Sequence, residues 1–415
     1  PLLSAIRERF MHVDSCPWQG DRIFFENAGG SLTLKSVVDV NTRLSAIPDN
    51  QGRDNPASQA LVKIIAKARE DTLRFLGASN GQVFMGESGT EVLFRLVRAA
   101  VLGSAEGGEV LGSTLEHPAT VSAARHWAEI AGKTYRAVAH DPHTAAVGAE
   151  NYLPHISPDT RVATIIQNSP VSGMEVDVKA VAAAIRAIAP ECYIIVDGIQ
   201  HAAHGLVEID DYDIDAFAVS AYKVFSRHNY GIAWVSPRLA VLPHDHLQGT
   251  ADDFWELGTR DTAAFACLSE VVGYLEWLGA QFTASGDPRE QILAAGRAMV
   301  GQEEYLVALM LEGEEGLRGL AAMPGLQLIG GSQVYHRAGV VSFAVKDIES
   351  AEIVARLNAD GIRTHVRKAD YFSANILEPL GLDSCVRASV CHYNSAEEVR
   401  AFLKSMNRVL DIQSA

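Results

Sequence analysis

The feature that most constrains the fold is a regular alternation of short apolar segments with longer amphipathic ones. Strands that alternate with helices build βαβ units, whose sheets are mostly parallel and buried on both faces. We therefore predict an α/β fold with a doubly wound sheet. The predicted strands span residues 82–85, 109–112, 162–166, 193–196, 216–219 and 231–235, and Ala-rich helical stretches span 58–76, 90–101 and 178–188.

The pattern changes near residue 273 to a long helical region, followed by a second and smaller α+β unit. We predict a large domain over residues 21–275 and a small C-terminal α+β domain over 276–415. An N-terminal segment, residues 1–20, is expected to pack with the small domain. Within that domain the predicted strands are 340–345, 362–366 and 386–391, and the predicted helices are 350–360 and 395–409.

Composition excludes several classes of function. The 415 residues include 35 Lys plus Arg against 51 Asp plus Glu, a formal net charge of -16. Binding to nucleic acid or anionic lipid needs a basic face, so we expect neither partner. No apolar run approaches the roughly 20 residues of a membrane span, and the first ten residues lack the apolar stretch of a signal peptide. Scattered cysteines without a CxxC pair indicate a cytoplasmic protein and no metal site.

Two neighbouring strand ends carry the residues with the clearest chemistry. One apolar segment ends in Asp197, and another ends in Ser220, three residues before Lys223. Open α/β sheets bind ligands at such ends, so carboxylate and amine are expected in one crevice. Pyridoxal phosphate (PLP) needs this pair, because the amine forms a Schiff base and the carboxylate keeps the pyridine nitrogen protonated. Each residue taken alone also has a structural explanation, with Asp197 as a turn or helix cap and Lys223 as a solvated amine.

A polar turn before the helix at 90–101 suits a phosphate group. Gly89 and Thr90 open this helix, where free N–H groups and the helix dipole attract anions. A plain capping turn is an equal alternative.

These motifs together resemble the class V aminotransferase family of fold-type I PLP enzymes, and within it the cysteine desulfurase-like subgroup. The resemblance runs from residues 24–29 to residues 386–389. It implies the large doubly wound, mostly parallel sheet domain and the smaller α+β domain predicted above. It also implies a homodimer with a shared active site, because the family's Glu-x-Gly-Thr loop, here ending in Thr259, reaches the phosphate of the partner subunit.

The resemblance assigns roles to single residues. It implies that Lys223, His117 and Asp197 are catalytic, with His117 stacked on the cofactor ring. An amino-acid carboxylate calls for a bidentate cation, and Arg387 matches the family's Arg-Ala-Ser strand. Cofactor contacts are assigned to Gly89, Thr90, His117, Asn168, Asp197, Gln200, Ser220, Tyr222, Lys223 and Thr259, and substrate contacts to Arg387, Asn27 and Arg363. An alignment anchored on Gly173 places Pro170 at the position otherwise assigned to Asn168.

The sequence departs from the desulfurases at the residue that accepts sulfur. A desulfurase needs a thiolate on the loop before the Arg387 strand, and residues 363–373 contain no cysteine. Cys385 and Cys391 adjoin that strand and are interpreted as buried filler. Tyr222 also stands where many desulfurases carry His.

The resulting hypothesis is a PLP-dependent enzyme that cleaves a carbon–sulfur bond of an α-amino acid, as a β-elimination lyase rather than a persulfide-forming desulfurase. An aminotransferase or amino-acid epimerase is the alternative, and a non-catalytic PLP-binding protein is a remote one. Nothing in the sequence supports a sulfur acceptor protein. The cations and the aromatic residue of the loop, Arg363, Arg367, Lys368 and Tyr371, either bind a second acidic group of the substrate or form a solvated loop.

Overall fold

A computed structural model describes residues 1–410 as two main sheets with helices packed on them, together with three two-stranded sheets. The helices are α1 (Leu2–Arg7), α2 (Lys35–Ser45), α3 (Pro56–Leu76), α4 (Gly89–Gly103), α5 (Pro118–Ile130), α6 (Ala149–Tyr152), α7 (Val178–Ile188), α8 (Pro237–Ala240), α9 (Thr262–Gly279), α10 (Pro288–Glu312), α11 (Ser350–Ala359), α12 (Ala374–Leu377) and α13 (Ala396–Val409). The strands are β1 (Ser15–Cys16), β2 (Gly20–Asp21), β3 (Ile23–Phe24), β4 (Gln82–Gly86), β5 (Glu109–Ser113), β6 (Thr134–Val138), β7 (Thr160–Ile166), β8 (Tyr193–Asp197), β9 (Ala216–Ser220), β10 (Gly231–Val235), β11 (Gly313–Glu314), β12 (Leu317–Arg318), β13 (Leu326–Leu328), β14 (Val340–Val345), β15 (Ile362–Arg363), β16 (His365–Lys368) and β17 (Ser384–Ser389).

The larger sheet has seven strands in the order β4-β10-β9-β8-β7-β5-β6. The five strands from β9 to β6 are parallel, and β10 runs antiparallel between β9 and β4. Alternate residues of β9 enter two different cores, with Phe217 and Val219 on one face and Ala216 and Ala218 on the other. A strand buried on both faces is typical of a doubly wound sheet. The predicted α/β fold with a mostly parallel sheet is confirmed.

The smaller sheet is antiparallel, in the order β13-β14-β17-β16. It shares a third core with α10, α11 and α13, in which Phe343, Val386 and Phe402 are fully buried. The N-terminal part of the chain joins this unit, because β3 pairs in parallel with β15. Arg7 of α1 also forms an ion pair of 3.1 Å with Glu398 of α13.

Several boundaries differ from the sequence-based expectation. The predicted strand at 362–366 is split into β15 and β16, which pair with different partners. Strand β6 was missed, because it lies at the sheet edge with most of its residues exposed or half-buried and so lacks an apolar run. Helix α9 continues through residue 275 to Gly279, and the domain boundary near 275 stays a prediction. Among residues 1–410, no helix is long and apolar enough to cross a membrane.

The core of the smaller unit gives a first prediction. Phe402 is fully buried between Phe25 and Phe343, so Phe402→Ala is expected to lower the free energy of unfolding by about 3–5 kcal/mol through lost burial and the cavity left behind. Phe282 is 54% exposed, and Phe282→Ala is the matched control, with an expected change of about 0.5 kcal/mol or less. Urea unfolding of both variants measures the difference, and equal losses would contradict this assignment of the core.

Candidate active site

The amine of Lys223 lies at the end of the larger sheet, in a short 3-10 helix (Ala221–Lys223) that directly follows β9. Its Nζ donates hydrogen bonds of 2.8 Å to the carbonyl of Ala28 and of 2.8 Å to Oε1 of Gln200. Burial is the main cause that lowers the pKa of this amine to about 7, and the positive charges of Arg387 and Arg367 lower it further. A buried lysine with such a pKa is partly neutral near pH 7 and is therefore nucleophilic.

Asp197 ends β8 beside this amine and is buried. Its Oδ2 accepts a hydrogen bond of 3.0 Å from the hydroxyl of Thr120, and its Oδ1 accepts one of 3.1 Å from the N–H of Ile199. One donor lies in α5 and the other follows β8, and together they fix the orientation of the carboxylate. Thr120 was missed in the sequence analysis, although its place in the first turn of α5, just after His117, was a usable signal.

His117 precedes α5, and its ring is held in one orientation. The Nδ1 atom accepts a hydrogen bond of 3.2 Å from the N–H of Ala119. Burial lowers the pKa of His117, so the ring is neutral and, with Nδ1 as an acceptor, carries its proton on Nε2. On its other side the ring lies 5.9 Å from the ring of Phe372, centroid to centroid. Phe372 was not among the predicted site residues.

The predicted phosphate turn is packed tightly, both at Gly89 within the turn and against Gly231 at the start of β10. A Cβ on Gly89 would lie 2.1 Å from Oγ of Ser220, and a Cβ on Gly231 would lie 2.4 Å from the carbonyl oxygen of Ser88. Ser88 caps α4 by accepting a hydrogen bond from the N–H of Glu91. The N–H groups of Gly89 and Thr90, in the first turn of α4, have no partner within the helix and are free for an anion.

One cavity brings together most of the predicted cofactor residues. Gln200 has an unused donor here, because its Oε1 accepts from Lys223 while its buried Nε2 has no hydrogen-bond partner among residues 1–410. The donor set fits PLP: a carboxylate for the ring nitrogen, an imidazole for the ring face, free N–H groups for the phosphate, and an amide for the phenolic oxygen. The cavity is lined by Thr90, His117, Ile166, Asn168, Pro170, Asp197, Ile199, Gln200, Ser220, Tyr222 and Lys223.

Arg387 projects from β17 of the smaller sheet and is 3% exposed. Its Nη1 donates a hydrogen bond of 2.8 Å to the carbonyl of Pro170, and its Nε has no partner. No carboxylate of residues 1–410 forms an ion pair with it within 4.0 Å. Burial, helped by the charge of Arg367, lowers its pKa to about 10. A buried guanidinium without a counter-ion is a binding site for an anion.

Two of the predicted substrate-binding residues are already engaged by other groups. The amide of Asn27 donates 2.7 Å to the carbonyl of Ser389 and accepts from Tyr393. Arg363 donates 2.8 Å to Glu26. These contacts favour a structural role for Asn27 and Arg363, and their substrate contacts stay predictions.

Asn168 lines the cavity, but its side-chain oxygen lies 2.6 Å from Nδ1 of His201 and its amide donates to the carbonyl of Gly173. Thr259 is exposed in an irregular loop, next to an ion pair between Arg260 and Glu87 of the phosphate turn. Both assignments likewise stay predictions.

Comparison with known proteins identifies the family. The sequence profile of the class-V aminotransferases matches residues 23–286 and 311–402. The chain belongs to the class V aminotransferase family. Members of this family depend on PLP, so the chain is a PLP-dependent enzyme.

The relatives of this class V chain include proteins named for cysteine desulfuration. It is 26% identical over 410 residues to the cysteine desulfurase-like protein UstD of Aspergillus flavus, covering 94% of this chain and 88% of that one. It is also 26% identical to a cysteine desulfurase of Synechococcus elongatus, covering 93% of this chain and only 60% of the relative's length.

The solved structures agree with the predicted fold-type I architecture. The cysteine desulfurase CsdA of Escherichia coli superposes with a TM-score of 0.79 at 21% identity, covering 99% of this chain and 98% of that one. The cysteine desulfurase of Thermococcus onnurineus also gives 0.79, at 20% identity with 94% and 95% covered.

The lowered pKa of Lys223 gives a second prediction. Covalent loading of PLP onto the apo chain requires the neutral amine, so the initial rate is expected to rise with pH through about 7 and then level off. An ordinary lysine, with a pKa of about 10.4, would give a rate that still rises at pH 10. Visible absorbance and borohydride-stable label measure the loading. Lys223→Ala should keep its circular dichroism and take up no label, and a labelled variant would contradict the assignment.

Proposed function

We propose that this enzyme cleaves the bond between Cβ and a sulfur-containing group of an α-amino acid by β-elimination, without passing sulfur to one of its own thiols. The proposal rests on the positions of the cysteines around Arg387. Residues 363–384, which lead into and include the first residue of β17, contain no cysteine. The names of the relatives support sulfur chemistry, and the absence of a loop thiol favours elimination.

The two cysteines near Arg387 are poor nucleophiles. Both are fully buried. Burial raises the pKa of Cys385 to about 12 and raises the pKa of Cys391 well above its usual range. A thiol with so high a pKa forms almost no thiolate at neutral pH. Cys16 differs, because hydrogen bonds from the backbone at Trp18 and Gln19 lower its pKa, and it is the thiol to remove as a control.

Each residue described above has a separate role in such a reaction. PLP, when bound, supplies an electron sink for negative charge that develops on the substrate α-carbon. With the cofactor bound, the carboxylate of Asp197 would stabilise the protonated pyridine nitrogen. Arg387 binds the substrate α-carboxylate through its unpaired guanidinium edge. Lys223, with a pKa of about 7, accepts the α-proton at Nζ.

His117 is placed to act on the leaving group. Because its Nδ1 is an acceptor for Ala119, the proton on Nε2 is available to a departing sulfur atom. The ring of Phe372 lies 5.9 Å from the same ring, centroid to centroid. Elimination then yields an enamine that hydrolyses in water to pyruvate and ammonia.

Product analysis tests this function. Cofactor-loaded enzyme is incubated with L-cysteine and with S-methyl-L-cysteine, and pyruvate, alanine, sulfide and methanethiol are quantified. We expect pyruvate and sulfide or thiol in equal amounts, with no protein-bound sulfur, because no thiolate stands near Arg387. Cys16→Ala is expected to leave the products and rates unchanged.

Other products would overturn the proposal. Alanine with protein-bound sulfur would indicate a desulfurase, and loss of that sulfur in Cys16→Ala would locate the thiol. Stoichiometric keto acid with an aminated cofactor would indicate an aminotransferase, and exchange of the α-proton with racemisation would indicate an epimerase.

We also propose that the enzyme is a homodimer in which Thr259 completes the phosphate site of the partner subunit. Its exposure in a loop next to the phosphate turn supports this role. Lys223→Ala and Thr259→Ala are each expected to have low activity as pure proteins. Mixed dimers contain one site with both residues intact, so refolding an equimolar mixture should restore up to about a quarter of wild-type activity if subunits pair at random. No gain over the separate variants would contradict the shared site.

A further inference from the structure

A second arginine lies on the same face of the smaller sheet as Arg387. In the antiparallel ladder of β16 and β17, Arg367 is opposite Cys385, and His365 is opposite Arg387. Side chains two residues apart in a strand share one face, so Arg367 and Arg387 are diagonal neighbours on that face. Two guanidinium groups are thus directed to the same side of the sheet.

The guanidinium of Arg367 has no acidic partner. Its Nε donates 2.9 Å to the hydroxyl of Ser373, and one Nη makes a long contact of 3.4 Å with the carbonyl of Phe372. Among residues 1–410 no carboxylate lies within 4.0 Å of it. The side chain is half-buried, and burial lowers its pKa. At least one edge of this cation is therefore free for an anion that the described chain does not provide.

The other cations of this segment are accounted for. Arg363 forms an ion pair of 2.8 Å with Glu26, and His365 lies 3.3 Å from the same carboxylate. Lys368 is exposed. The sequence did not distinguish Arg363, Arg367 and Lys368 as candidates to bind a second acidic group, and the ion pair of Arg363 and the exposure of Lys368 separate Arg367 from them.

Arg367 also lies close to the reactive groups. Its guanidinium carbon is 5.8 Å from the centre of the Phe372 ring, and that ring is 5.9 Å from the ring of His117. Its charge lowers the pKa of Lys223, His117 and Arg387. Arg367 therefore lies near His117, and the ring of Phe372 neighbours both side chains.

The charges at this end of the cavity do not balance. Arg367 and Arg387 bring two positive charges, and neither forms an ion pair within 4.0 Å among residues 1–410. Asp370 acts on Arg367, and Glu26 on Arg387, only from a greater distance. Partly buried charges without partners are costly, and a bound anion removes that cost. The α-carboxylate of any amino acid neutralises only one arginine. A second anionic group on the substrate side chain would neutralise the other.

We propose that Arg367 is a specificity-determining residue that binds an oxyanion carried on Cβ of the substrate. The preferred substrates are then α-amino acids with an anionic side chain, such as a carboxylate or a sulfinate, rather than a neutral thiol. This inference deepens the proposed function and rests on the same cavity, with Arg387 on the α-carboxylate. It requires no covalent step beyond binding.

The test compares anionic ligands with neutral ligands of matched shape. Cofactor-loaded enzyme is titrated with L-aspartate and L-asparagine, and with L-cysteine sulfinate and S-methyl-L-cysteine, and calorimetry gives each Kd. We expect each anion to bind at least about tenfold more tightly than its neutral match, as a charge-assisted hydrogen bond provides. Equal affinity for anionic and neutral ligands in the wild type would overturn the proposal.

Substitution locates the effect. Arg367→Gln is expected to weaken the anionic ligands about tenfold or more and to change the neutral ligands less than twofold. Arg367→Lys keeps the charge without the bidentate geometry and should fall between Arg367→Gln and the wild type. Lys368→Gln removes a neighbouring exposed charge and should leave every Kd unchanged.

Other results would contradict the proposal in distinct ways. If Arg367→Gln weakens anionic and neutral ligands equally, Arg367 is a positioning residue that only holds Ser373 and Phe372 in place. If Lys368→Gln causes the same loss, the effect is general surface charge. Because the readout is affinity, a selective loss supports the inference even if the product analysis rejects β-elimination, so the two hypotheses fail separately.

Discussion

The buried amine of Lys223 is the group on which the rest of the site depends. Its two hydrogen-bond partners come from distant parts of the chain, the carbonyl of Ala28 and the side chain of Gln200. Its pKa of about 7 results from burial together with the charges of Arg387 and Arg367, which belong to the smaller sheet. The reactivity of one side chain therefore requires three separate segments to be in place.

The N-terminal segment connects these parts. Strand β3 pairs with β15, and the N–H of Ala28 donates 2.9 Å to the hydroxyl of Ser389 at the end of β17. The same short stretch presents the Ala28 carbonyl to Lys223 of the larger unit. A change in this segment would move the amine and the substrate arginine together. Asn27 is buried in the same hydrogen-bond network, where it donates to the carbonyl of Ser389 and accepts from Tyr393.

Charge pairing separates the arginines by role. Arg363 is neutralised by Glu26 and helps to join β15 to the N-terminal segment. Arg367 and Arg387 form no ion pair among the described residues and are diagonal neighbours on one face of the smaller sheet. Family members that pass sulfur to a protein thiol need a cysteine on this side, whereas this chain presents a cation. We propose that this difference changes which substrates the site binds, while Lys223 and Asp197 keep the roles that the family resemblance implies.

Much of the fold was predictable because it follows from local periodicity. Strands β10 and β14 and helix α7 begin and end at the predicted residues, since apolar runs and helical spacing are properties of neighbouring residues. The edge strand β6 was not predicted, because most of its residues are exposed or half-buried. The break between β15 and β16 was not predicted either, because it depends on the different strands with which they pair. The positions of Asp197 and Lys223 at strand ends also followed from the sequence, because parallel strands end at a common edge.

The tertiary structure alone decided which side chains are free. Asn27 and Arg363 matched a motif, but long-range hydrogen bonds and an ion pair occupy them. Thr120 and Phe372 matched no motif, and contacts across the fold bring them to Asp197 and His117. Residue type and spacing determine what chemistry a side chain is capable of. Whether that capacity is available depends on burial and on partners far away in the chain, which no local pattern encodes.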